Sequence, residues 1–72
     1  MEEKILEIMK RVFNTQDVTV SSDQTNCEKW DSLRHLNLIV ELENEFDIEF
    51  EPEEIAEMKS FEKVMQNLEK KL

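Results

Sequence analysis

The segment Trp30-Asp31-Ser32-Leu33-Arg34-His35-Leu36-Asn37-Leu38-Ile39-Val40 turns a polar stretch into a strongly apolar helical pattern. Asp31 and Ser32 are both residue types that cap helix starts, so a helix opens at one of them and runs to about Phe46. At about 100° per residue, Leu38, Leu42, Phe46 and Ile39 share one arc, wide enough for a core face. His35 falls inside that arc. A second stripe, Leu33, Leu36 and Val40, extends beyond it, with Glu43 set among its residues. Arg34, Asn37, Glu41, Asn44 and Glu45 are left for the polar face. The apolar sector then approaches about 200°, more than a surface helix of a small domain needs. Either a neighbouring helix or loop covers the surplus, or it is an exposed strip that docks on a protein.

Before this helix, Ile5, Leu6, Ile8, Met9, Val12 and Phe13 gather on one face, which predicts a first helix over about residues 2 to 14. Residues 15 to 30 hold Thr15, Ser21, Ser22, Asp23, Thr25 and Asn26, whose side chains compete with helical backbone bonds. They predict a long ordered loop, pinned to the core through Val18 and Val20. So long a loop in so short a chain is more often functional than not. Downstream, Pro52 suits the first turn of a short third helix over residues 52 to 58, with Glu53 and Glu54 near its positive end. Ser60 caps a fourth helix carrying the stripe Phe61, Val64, Met65, Leu68 and Leu72, and Lys70 and Lys71 lie at its C-terminus. Glycine is absent, which removes the usual C-caps and positive-φ turns and disfavours hairpins. The expected fold is all-α: one domain over residues 1–72, a small four-helix bundle with three longer helices, a short third helix and a long loop between the first two.

The chain has 72 residues, with 18 acidic against 9 basic and a net charge of −9. That balance disfavours nucleic acid, whose binding needs clustered cations, and anionic membranes. It fits protein partners with basic docking surfaces, and it also fits plain solubility as a monomer. The single cysteine, Cys27, forms no internal disulfide, which suits a reducing compartment. No apolar run approaches the roughly 18 residues that span a bilayer, and the N-terminus does not read as a signal peptide. A complete, cytoplasmic protein is expected.

At the head of the second helix, Ser32 is exposed and conformationally fixed. A phosphate ester on it would lie near unpaired first-turn N–H groups and the positive dipole end. On Asp31 and Ser32 alone, an ordinary cap is the favoured reading, because Asp-Ser is common at helix starts.

The run Trp30-Asp31-Ser32-Leu33-Arg34-His35-Leu36-Asn37-Leu38-Ile39, with Leu42-Glu43 and Phe46-Asp47-Ile48 after it, resembles the acyl carrier protein family over the entire chain. The resemblance implies that Ser32 receives 4′-phosphopantetheine from coenzyme A, and that the arm's thiol carries acyl groups as thioesters. It implies that Asp31 helps engage the phosphopantetheinyl transferase and that Leu33 contacts partner enzymes. The strip Leu33, Leu36, Val40 and Glu43 becomes the expected docking surface for acyl-loading and acyl-processing enzymes. Carriers for primary fatty acid synthesis usually have acidic residues two and five places after the serine, where this chain has Arg34 and Asn37. The usual Phe-Gly-Ile is Phe46-Asp47-Ile48, and the glycine often found before Asp-Ser-Leu is missing. The form is closer to stand-alone carriers of specialised biosynthetic pathways. An aminoacyl carrier would share the arm and differ in cargo, whereas a non-covalent helical adapter would use the same strip and carry nothing.

Other residues point less far. His35 beside Ser32 lacks the third orienting group of a nucleophile–base system, and Cys27 has only Lys29 as a basic neighbour, so no catalytic residue is expected. Glu41, Glu43, Glu45, Asp47, Glu49 and Glu51 lack the spacing of a calcium loop and read as a solvated acidic face, with no dedicated metal site.

Overall fold

The computed structural model describes residues 1–72 and consists of α1 (Glu2–Phe13), α2 (Ser32–Phe46), α3 (Pro52–Glu57) and α4 (Phe61–Lys71), with no strand. Apolar periodicity explains the three longer helices. Ile5, Ile8, Met9 and Phe13 of α1, Leu38 and Leu42 of α2, and Val64 and Leu68 of α4 have no exposed surface. They meet in one core, and Leu6, Val12, Phe46, Ile55 and Met65 pack at its margin. Burying such side chains is the main stabilising term, about 1.5–3 kcal/mol for each large one. At the α1–α2 surface Lys4 pairs with Glu45 at 3.3 Å and Arg11 with Glu41 at 3.1 Å. Exposed pairs of this kind add little stability.

The first helix ends one residue earlier than its periodicity suggests. Asn14 adopts φ 54°, ψ 49° and its N–H closes the helix onto Lys10 O. Asp47 does the same after α2, at φ 55°, ψ 52°. Left-handed C-caps therefore survive without glycine. Asn and Asp fill them because short polar side chains tolerate this region better than other Cβ-bearing residues.

The long loop is ordered by its own side chains. Asp23 Oδ1 accepts from the N–H groups of Thr25 at 2.8 Å and Asn26 at 2.9 Å. The Thr25 hydroxyl also donates to it, and these bonds hold the Asp23 carboxyl below its usual range, the Thr25 side-chain bond most of all. Gln24 N–H donates to Lys59 O at 3.0 Å and Phe61 N–H to Ser22 O at 2.9 Å, tying the loop to the α3–α4 connection. Val18, Cys27 and Trp30 anchor it in the core, whereas Val20 is 48% exposed and anchors nothing.

Helix α3 begins on Pro52 and ends at Met58, a fully buried residue that is the cap and not part of the helix. None of its own six residues is buried. Ile55 packs at the core margin, and polar contacts fasten the rest. Glu54 accepts from Glu51 N–H at 2.8 Å and pairs with Lys71 at 2.9 Å. The backbone bond from Glu51, followed by the Lys71 contact, keeps the Glu54 carboxyl below its ordinary range. In α4, Leu72 lies at the exposed end and takes no part in the buried stripe.

Candidate functional site

At the start of α2 the two capping candidates separate. Asp31 is the N-cap: its Oδ1 accepts from Arg34 N–H at 2.8 Å, and its Oδ2 takes the Arg34 guanidinium at 2.7 Å. The Arg34 backbone bond, aided by the guanidinium charge, lowers the Asp31 carboxyl below its ordinary value despite opposing desolvation. Ser32 is therefore the first helical residue and is exposed. Its hydroxyl is not spent on capping, because Asp31 does that work. The N–H groups of the first turn not taken by Asp31 face the same end of the helix, where an anion is favoured.

The surplus apolar stripe is exposed: Leu33 by 70%, Leu36 by 55% and Val40 by 53%. Neither α3 nor the loop covers it, which settles the first of the two alternatives. The strip begins beside Ser32 and runs up the outer face of α2. Glu43, expected among the docking residues, has its carboxylate turned to the chain itself, where it accepts from Phe50 N–H at 2.9 Å. It is half-buried and holds the segment after α2 in place.

His35 is buried, with Nδ1 accepting from Trp30 Nε1–H at 2.9 Å and Nε2 lying 2.9 Å from Ile55 O. These contacts require the neutral tautomer with the proton on Nε2. The ring is committed to joining the loop, α2 and α3, so it has no nitrogen left to serve as base for Ser32. Trp30 is buried between His35 and Phe13, the Phe13 ring centroid 5.2 Å from its own. Cys27 is a buried free thiol. No three His, Cys, Asp or Glu side chains converge as a metal site. The cavity beside His35, about 300 Å³, is lined by Gln24, His35, Pro52, Ile55, Ala56 and Lys59.

The family model described as "Phosphopantetheine attachment site" matches residues 3–68. The chain belongs to the phosphopantetheine-binding acyl carrier family. Among solved structures, one from Mycobacterium tuberculosis, named as a candidate acyl carrier protein, superimposes with a TM-score of 0.87 at 28% identity, covering 99% of this chain and 97% of the other. The curated proteins contain no significant match. As a member of the acyl carrier family, the protein is a carrier and not a catalyst. Its cofactor is covalent 4′-phosphopantetheine, and members interact with phosphopantetheinyl transferases and acyl-processing enzymes. No helix is long and apolar enough to cross a membrane. When bound, the prosthetic arm supplies a thiol that holds cargo as a thioester. The chain supplies the domain to which that arm is attached.

Proposed function

We propose that Ser32 bears the 4′-phosphopantetheine arm and that the single domain over residues 1–72 presents acyl thioesters to enzymes of a specialised biosynthetic pathway. One observation carries the site: Asp31 caps α2, leaving the Ser32 hydroxyl exposed at a helix N-terminus that favours a phosphodiester. Loading forms a bond from Ser32 Oγ to the pantetheine-side phosphorus of coenzyme A and breaks its pyrophosphate bond, with adenosine 3′,5′-bisphosphate as the leaving group. The hydroxyl proton passes to the transferase. Asp31 and Leu33 flank the reacting oxygen and are the transferase's nearest handholds. Leu33, Leu36 and Val40 form the docking strip, and Glu43 supports it from within by holding Phe50. Arg34 and Asn37 stand where primary fatty acid carriers have acids, which favours the specialised assignment. The tether lets one small body visit several buried active sites while keeping its cargo at high effective concentration.

The test is loading by a broad-specificity phosphopantetheinyl transferase with coenzyme A, read by intact mass. Wild type gains one arm and Ser32→Ala gains none. An unchanged wild-type mass, under conditions that load another carrier, would leave the adapter reading. A gain that persists in Ser32→Ala would move the attachment elsewhere.

A further inference from the structure

The charge of this molecule is not spread over it. From Glu41 to Glu57 there are nine acidic residues and no basic one. The chain as a whole has 18 acidic and 9 basic residues, so this one segment accounts for the full net charge of −9 and the remainder balances. The exposed strip lies outside it. Between Asp31 and Val40 the only charges are Asp31 and Arg34, and they neutralise each other at 2.7 Å. The carboxylate just beyond, Glu41, is taken by Arg11. In contrast, Asp47, Glu49, Glu51, Glu53 and Glu57 are exposed and have no ion-pair partner.

We propose that the partner enzymes meet this carrier through two chemically different patches: an apolar slot without a cation cluster over Leu33, Leu36 and Val40, and a basic patch displaced toward residues 47–57. The inference rests on the Ser32 reading above and specifies the partner that it requires. Placing a cluster of lysines or arginines against the strip would desolvate them with no carboxylate to meet, at a net cost in affinity. The unpaired acids of the 47–57 segment instead supply the long-range field that steers encounter. Helix α3, which carries Glu53 and Glu57, contacts α2 through His35 and Ile55, so one partner surface can reach both patches. Contact strength and salt sensitivity consequently reside in different parts of the carrier.

Loading kinetics separate the two patches. The probe is the same transferase with coenzyme A, its KM for the carrier measured at about 20 and about 200 mM NaCl, where charge screening differs severalfold in range. Leu36→Asp raises KM by about tenfold at both salts, as expected for a desolvated contact. Leu36→Ser, a milder change at the same exposed site, raises it in the same sense. Glu49→Gln/Glu53→Gln/Glu57→Gln flattens the salt response of wild type. Arg34→Glu/Asn37→Glu raises KM without adding salt sensitivity. Circular dichroism confirms that each variant keeps its helices. The proposal is overturned if the Arg34→Glu/Asn37→Glu protein shows a lower KM at low salt and a steeper salt response, because that would reveal a basic patch opposite α2. Unchanged KM in both Leu36 variants overturns it equally. Complete loading at saturating transferase with either of these patterns removes this inference alone. Failure of wild type to load removes the Ser32 reading and this inference with it.

Discussion

The indole N–H of Trp30 donates to Nδ1 of His35 at 2.9 Å, and the far side of the same imidazole meets Ile55 O at 2.9 Å. A residue five places before His35 and one twenty places after it are thus joined through a single buried ring. Neither contact is available without the other's tautomer, since Nδ1 can accept only while Nε2 holds the proton. The long loop, the helix bearing Ser32 and the short third helix share this one polar joint.

Replacing His35 with Leu keeps the volume and removes both partners at once. The buried Trp30 N–H is then orphaned, which costs about 1–3 kcal/mol. We expect a lower thermal midpoint and faster amide exchange in α3, while α1 and α4 keep their protection. His35 is the only histidine, so its nitrogen chemical shifts report the Nε2–H tautomer without assignment ambiguity. An Nδ1–H tautomer, or an unchanged midpoint in the Leu variant, would contradict the joint.

This joint also marks where sequence reading stops. The helices were legible because Ile5, Ile8, Leu38, Leu42, Val64 and Leu68 recur at helical spacing, and local periodicity is sufficient for that. The width of the apolar sector on α2 pointed to Leu33, Leu36 and Val40, but whether they were covered depended on where α3 packs. His35 was legible as a core-facing residue and not as a bridge, because its partners are set by tertiary placement. Glu43 shows the same limit: the helix wheel places it beside the strip, whereas its bond with Phe50 N–H depends on how the segment after α2 folds back. At the site itself, spacing allowed either Asp31 or Ser32 to be the cap, and only backbone geometry separates them.

Asp31 gives the site a pH signature. Its carboxyl is held below the ordinary value of 3.8 by the Arg34 N–H bond and the Arg34 charge. A carboxylate with a depressed folded-state pKa contributes stability that is fully present above the unfolded value and is lost as pH falls through the folded value. Asp31→Asn should therefore melt below wild type at neutral pH, and the gap should close as pH is lowered past the ordinary Asp range. Thermal melts of both proteins from pH 7 down to acid check this. A gap that stays constant with pH would assign the effect to something other than ionisation.

Asp47 holds a left-handed cap at φ 55° that glycine would occupy without steric cost. For a residue with a Cβ this region costs roughly 1–2 kcal/mol, somewhat less for Asp and Asn. Asp47→Gly also removes one charge from the most acidic segment of the chain. The variant should be more stable by up to about 1 kcal/mol, with a higher urea midpoint and an unchanged slope. A lower midpoint would show that the Asp47 side chain makes a compensating contact.

Asn67 presents the opposite case, a polar group that the core does not satisfy. It is 2% exposed, and its Nδ2 donates to Lys63 O at 2.8 Å. Its Oδ1 has no partner. Burying an acceptor without a hydrogen bond costs about 1–3 kcal/mol, so half of this amide works against the fold. Leu has nearly the same size, forms helices more readily, and asks for no partner at this position beside Val64 and Leu68. The bond lost to Lys63 O matters little, because that carbonyl already belongs to the helical ladder of α4. Asn67→Leu should accordingly raise the thermal midpoint by several degrees, as about 1 kcal/mol does in a domain of this length. A fall in the midpoint would mean that Oδ1 is satisfied in solution, and that the amide is a structural anchor of α4.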